Sequence, residues 1–442
     1  MINPQIFLNT SLSNHKQGKQ IASILAAAID AVDPGEAIKR FARRDENKLT
    51  IAGQIYDLSD YQHIYLMAFG KASLPMSIAL IDILNDRFTQ GWVVPKHASS
   101  FKDSRLIIKP GSHPLPDETS LQAGEMLLDA AEFFTENDLV FCLISGGGSA
   151  LITAPYQGVS LADMRELTRQ LLACGARIDE INTLRRHLDQ IKGGGLAKKI
   201  APATVVSLIL SDVVNSPLEA IASGPTAPDQ STLQDVWHIL EKYHLIEKIP
   251  KSILSHFQEK IETPKPGDAL FSRVSNILVG SNEIASQAAA EKAQQLGFET
   301  KILGNDWQGE AREVAKTLTQ QLTTPSKTPL CMIAGGETTV TLKGSGKGGR
   351  NLELALAAVP LLAGLKDVML VTLATDGEDG PTDAAGAVVT GETANKAKVL
   401  GLNPEGYLKN NDSYHFFAAL GDLLKPGPTG TNVNDLTFIF QF

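Results

Sequence analysis

Three short, nearly unbroken apolar runs constrain this chain more than any other feature. They are His63 to Ala68, Asp138 to Ile144 and Val205 to Leu210. None shows the in/out alternation of a half-exposed strand, so each needs cover on both faces. Each is followed within a residue or two by a glycine-bearing or polar turn: Phe69-Gly70-Lys71, Ser145-Gly146-Gly147-Gly148-Ser149 and Ser211-Asp212. After the first turn a helical pattern runs from about Ala72 to Leu84. Strand, glycine turn, helix is the order of a parallel α/β sheet.

The alternation resumes later. Asn276 to Val279, Thr300 to Leu303, Leu330 to Ala334, Thr338 to Leu342, Val368 to Thr372 and Thr437 to Phe442 read as strands, with helices over Ala285 to Leu296, Gly309 to Leu322 and from Arg350. Between the two series, Ser231 to Leu270 is polar and broken by Pro250, Pro264 and Pro266, which reads as a helical connector with a boundary near 245. The first ~45 residues read as helical, with Ile21, Ile24, Leu25, Ala28 and Ile29 on one face and Asp33-Pro34 opening a second helix. The expectation is two α/β domains with mostly parallel sheets flanked by helices: 1–245, Rossmann-like with a helical lead-in, and 246–442. A length of 442 residues exceeds one ordinary core, and 43% hydrophobic against 20% charged residues excludes disordered and fibrous classes.

Forty Lys and Arg against 49 Asp and Glu leave a net charge of −9, so no global field favours nucleic acid. Cys142, Cys174 and Cys331 lack metal spacing and read as reduced core thiols. No run reaches the ~18 apolar residues of a membrane span, and Met1 to Gln5 carries no basic region leading into an apolar stretch. A cytoplasmic protein with small-molecule partners and no membrane is expected, with a homodimer left open.

Ligands of open α/β sheets sit beyond the carboxyl ends of the strands, and four such places stand out. In Ser145 to Ser149, consecutive glycines let backbone N–H groups face one way, which suits a phosphate; a tight turn is the alternative reading. Lys71 reaches the same end as a point charge, unless it is a surface lysine. Asp212 suits a hydroxyl proton or Mg²⁺, or else caps a helix. The fourth place combines Gly335-Gly336-Glu337, the loop Gly344 to Asn351 with Lys347 and Arg350, and the acidic loop with Asp376, Asp379 and Asp383. That mixture suits a Mg²⁺-nucleotide, carboxylates for metal and cations for phosphoryl oxygens; a solvated turn is the plainer alternative for the acidic loop. It is not a Walker A loop, because Gly348 follows Lys347 where Ser or Thr is required, and no strand leads into a dinucleotide fingerprint. The stretch Asn182 to Leu196, with Arg185, Arg186 and Lys192, reads either as a clamp for an anionic substrate or as a solvated helix face. His113 and His187 have no metal spacing and read as hydrogen-bonded histidines.

At these residues the chain resembles the glycerate 2-kinase family of the tartrate-degradation type, whose second half is the MOFRL domain. The resemblance rests on FGKAS at Phe69, GSHPLPDE at Gly111, LISGGGSAL at Leu143, INTLRRHLDQIKGGGLA at Ile181, SDVVNSPLEAIASGPT at Ser211, AGGETTVTLKGSGKGGRNLELAL at Ala334, TDGEDGPTDAAGAV at Thr375 and NNDSYHFFAALGDLLKPGPTGTNVNDL at Asn410. It implies an active site in the interdomain cleft and phosphorylation of the 2-hydroxyl of D-glycerate with ATP and Mg²⁺. Lys71, Asp212 and Arg350 fall on positions the family is thought to use for catalysis, and Gly146 to Ser149 on its phosphate loop. With Ser145, Gly335, Gly336, Glu337 and Lys347 on the nucleotide, Arg185, Lys192 and Asn351 on substrate, and Asp376, Asp379 and Asp383 on metal, the expected site is complete. One departure stands out: Asn215-Ser216 stands where the family usually carries a Gly-Asp pair, so the enzyme either does without that second carboxylate or borrows Glu219. A hydroxypyruvate reductase and a non-catalytic sensor of glycerate or nucleotide are the alternatives.

Overall fold

The apolar runs form the middle of a six-stranded sheet in the computed structural model, which describes residues 1–322 and 329–442. A three-stranded antiparallel meander comes first in the chain: β1 (Ala42–Asp45), β2 (Lys48–Ile51) and β3 (Gln54–Asp57). The large sheet follows with β4 (His63–Phe69), β5 (Gln90–Val94), β6 (Leu106–Ile108), β7 (Asp138–Ser145), β8 (Thr204–Leu210) and β9 (Val274–Gly280), in the order β6-β5-β4-β7-β8-β9. From β6 to β8 every pairing is parallel, and all eight residues of β7 are buried. Two-sided burial is why these strands read as solid apolar runs. The strands also end level: Phe69 pairs with Val94 and with Ile144, and Ser145 with Leu210.

These elements belong to a unit spanning Ala37–Val279, while Met1–Glu36 and Gly280–Phe442 form a second unit. The expected boundary near 245 therefore falls inside the first unit, for two reasons. Residues 231–270 do contain helices, Leu233–Lys242 and Lys251–Gln258, but they share a buried core with Leu161–Ala173 and Ile178–Arg186 through Leu167, Leu184, Leu240 and Phe257. Asn276 to Val279, expected to open the second sheet, instead lies in β9 at the edge of the first. The helical lead-in is also placed differently. Its helix Gly18–Asp30 buries Ile21, Ile24, Leu25, Ala28 and Ile29 and packs on the helix Asn282–Gln295 of the second unit, to which both belong, and from Ala42 the chain is meander, not helix.

The sheet of the second unit is mixed. It contains β10 (Glu299–Ile302), β11 (Trp307–Glu310), β12 (Leu330–Thr339), β13 (Val368–Ala374), β14 (Gly386–Thr390), β15 (Leu423–Leu424) and β16 (Asp435–Gln441). β10 and β11 run parallel to β12, whereas β16 lies antiparallel between β12 and β13, and β14 and β15 continue antiparallel. The helices Ala311–Thr319 and Arg350–Leu362 pack on it around Leu352, Leu356, Val359, Leu370, Phe416 and Ile439. Cys142 and Cys331 are buried as expected, but Cys174 is exposed at a helix end. Among the described residues no helix is long and apolar enough to cross a membrane.

Candidate active site

Level strand ends bring the residues that follow β4, β7 and β8 together. Lys71 N–H donates to the Gly146 carbonyl (2.9 Å) and Ala72 N–H to Ser145 Oγ (3.0 Å), so the turn after β4 is tied to the glycine loop after β7. Gly146 lies so close to the Asp212 carboxylate that a Cβ there would run into Oδ2. Gly147 has φ +82°, a left-handed conformation that favours glycine, and a Cβ on it would lie 3.0 Å from His113 Cδ2 and 3.4 Å from Lys71 Cε. Two consecutive glycines thus lie against a carboxylate at Gly146 and against an imidazole and the arm of a lysine at Gly147. Among the described residues the Gly146 and Gly147 N–H groups donate to no backbone carbonyl, and the Lys71 ammonium has no hydrogen bond or ion pair. Ser149 Oγ is held 2.9 Å from Ser223 Oγ. Where the resembled family carries Gly-Asp, Asn215 (φ 61°) and Ser216 (φ 49°) are both left-handed. Asparagine is one of the side chains that tolerates the backbone glycine ordinarily fills.

The basic stretch divides. Lys192 is buried, with its Nζ on Asp189 Oδ2 (2.8 Å) and the Ile152 carbonyl (3.1 Å), so its charge serves the packing of the loop rather than a substrate. Arg186 pairs with Asp229 (2.8 Å), and His187 is buried between the Thr183 carbonyl (2.9 Å) and Glu262 Oε1 (2.8 Å), a structural histidine as expected. Arg185 differs: it is half-buried and makes no hydrogen bond or ion pair among the described residues, and burial pulls its guanidinium below its ordinary pKa. A desolvated cation without a counter-charge is a place for an anion.

In the second unit the structure reassigns several expected ligand residues. Gly335 and Gly336 are not a loop. They lie inside β12, paired with Leu436 and Asp435 of β16, where side chains would collide with Asn282 and with the Trp307 backbone. Glu337 and Asp435 both bind Arg350, the latter through Nε at 2.6 Å. The glycine loop before Arg350 is pinned to another segment: Lys343 and Gly344 N–H donate to Asn411 Oδ1, and Lys347 N–H to Asp412 Oδ1, while the Lys347 ammonium sits 4.3 Å over the Tyr414 ring. Asp379 accepts from the Asn351 and Leu352 N–H groups and so caps the helix that starts at Arg350. Asn351 is buried against it. Asp383 is exposed and bound to the Tyr414 hydroxyl (2.7 Å) and Lys425 (3.1 Å), and Asp376 accepts from the Glu378 N–H (3.2 Å). Among the described residues no three His, Cys, Asp or Glu side chains group as a metal cage, so Asp376, Asp379 and Asp383 do not fit as one ligand set. Burial raises two carboxyls: Asp379 to about 6, against the pull of the helix amides, and Asp435 to about 7, against that of Arg350.

Asp435 and His113 are the residues that motif reading undervalued. Nothing local marks Asp435, which meets Arg350 only through the β12–β16 register. His113 carries a signal in the GSHPLPDE stretch after a strand, but its spacing pointed to a hydrogen-bonded role and not to the glycine loop.

A lysine and a carboxylate facing consecutive glycines beyond the carboxyl ends of a parallel sheet define an open α/β enzyme that handles a small anionic molecule. Residues 20–258 match a family described as a domain of unknown function (DUF4147), and residues 330–435 match the MOFRL family. The glycerate 2-kinase of Pyrococcus horikoshii is 40% identical over 422 residues, covering 93% of this chain and 94% of that one. The D-glycerate 2-kinase of Thermotoga maritima is 41% identical, covering 95% and 97%. A crystal structure of the Thermotoga maritima glycerate kinase superposes with a TM-score of 0.85 at 38% identity, covering 95% of this chain and 98% of that chain. The chain belongs to the glycerate kinase family.

Proposed function

We propose that the protein phosphorylates the 2-hydroxyl of D-glycerate with MgATP, giving 2-phosphoglycerate and ADP. The observation that carries this reading is the pairing of Asp212 with Gly146 and of Lys71 with Gly147 on one loop, in a chain whose relatives are named glycerate 2-kinases. Asp212 accepts the hydroxyl proton as the glycerate oxygen bonds to the γ-phosphorus and the bond to the bridging oxygen of ADP breaks. Lys71 offsets charge on the phosphoryl oxygens, and the Gly146 and Gly147 N–H groups face them. Arg185 takes the glycerate carboxylate. Arg350 is the third proposed catalytic residue; burial acts to lower its guanidinium pKa, and Asp435 and Glu337 more than offset that. Magnesium enters with the nucleotide as part of the substrate.

The test couples purified protein, D-glycerate, ATP and Mg²⁺ to enolase, which accepts the 2-phosphate and not the 3-phosphate. Phosphoenolpyruvate formation is the expected result. ADP release without it moves the phosphate to the other hydroxyl, and no ADP at all overturns the reading.

A further inference from the structure

The imidazole of His113 stands over the same glycine loop, carried there by the segment after β6. Gly111 N–H donates to the Pro95 carbonyl (3.1 Å), Ser112 N–H to Ser120 Oγ (3.1 Å), and Gly111 packs flat on the Leu151 carbonyl at the end of the loop's short helix. These contacts place His113 Nε2 3.3 Å from the point where a Gly147 side chain would begin, with Lys71 Cε at 3.4 Å from that point. The ring is half-buried, yet neither nitrogen makes a hydrogen bond among the described residues. Both nitrogens are therefore open to a ligand, one as donor and one as acceptor while the ring is neutral. The charged groups around it are Lys71 after β4, Lys96 after β5 and, across the adjoining glycine, Asp212.

We propose that His113 donates one N–H to an oxygen of the phosphoryl group held at Gly146 and Gly147, beside Lys71. This rests on the kinase reading for the identity of that group. Burial, then Lys71, then Lys96 keep the ring below its ordinary pKa, so at neutral pH it offers one donor without adding a further positive charge. A neutral donor suits a site where Lys71 already supplies the cation, because its hydrogen bond strengthens as charge builds on the oxygen.

The test uses His113→Ala and His113→Gln. With the enolase-coupled assay, His113→Ala is expected to lose about 10²-fold in kcat with an unchanged KM for D-glycerate and an unchanged unfolding temperature, and added imidazole or His113→Gln restores at least tenfold. Retention of kcat within threefold, or a loss that neither imidazole nor Gln repairs, overturns the proposal. A second arm needs no turnover: the His113 ring ¹⁵N signals of the wild-type protein are followed as inorganic phosphate is added. A saturable shift that Lys71→Met weakens supports the contact even if glycerate proves to be the wrong acceptor. An active wild-type enzyme whose His113 signals stay still removes the proposal and leaves the kinase reading intact.

Discussion

Replacing Lys192 separates structure from substrate binding. The Lys192 side chain is 3% exposed and that of its partner Asp189 0%, and Asp189 also accepts from Thr153 Oγ1 (2.7 Å), Ala154 N–H (3.2 Å) and Ile191 N–H (3.0 Å). Burial alone would raise the Asp189 pKa; Lys192 and these donors more than offset it, leaving the carboxyl below its ordinary value and therefore charged. Lys192→Met strands that charge in the interior, which costs about 3–5 kcal/mol. For a unit the size of Ala37–Val279, at roughly 2–4 °C per kcal/mol, unfolding comes about 6–20 °C earlier. Calorimetry on Lys192→Met, Asp189→Asn and the double variant should show a large loss in the first and partial recovery in the double. The KM for D-glycerate of the folded variant should stay near wild type. A Lys192→Met protein with wild-type unfolding temperature and a KM raised tenfold or more would refute the reasoning and return Lys192 to the substrate.

Asp212→Asn should lower kcat about 10²–10³-fold in steady-state assays of the folded variant, with ATP and D-glycerate both saturating. Arg350→Ala should lower both kcat and the unfolding temperature, because it leaves the buried Asp435 without its cation. Asp379 and Asp435 are raised in the folded state to about 6 and about 7. Their contribution to stability is fully present below the ordinary carboxylate range and is lost as pH rises through 6 to 7; Asp435→Asn should flatten that decline in denaturant titrations. A thiol reagent should label one cysteine of the native chain, the exposed Cys174, and three after unfolding, since Cys142, pushed up to about 12, and Cys331 are buried.

The first sheet was legible because its strands bury both faces, so β4, β7 and β8 announce themselves as apolar runs and their last residues mark the site. Ownership of segments was not legible. An amphipathic helix such as Gly18–Asp30 shows that it will be buried but not against what, and β9 looks the same at the edge of either sheet. The acidic loop misled for a related reason. Asp379 and Asp383 are chemically alike and four residues apart, yet one caps a helix and the other meets Tyr414 and Lys425; those partners lie 27 to 42 residues away in sequence. Gly335 and Gly336 likewise resemble a phosphate loop until the strand opposite them is known.

The position of β16 sets an order of events during synthesis. It follows every other strand of its sheet in the chain, yet it occupies the middle of that sheet, between β12 and β13. Ala37–Val279 is continuous in sequence and can close its core while the remainder is still being made. Residues 1–36 precede that unit in the chain but have to wait for the segment from Gly280 on, β16 included, before their own unit can be finished. A chain ending before Asp435 would have one unit continuous in sequence and, in the other, β12 and β13 each lacking the partner that joins them.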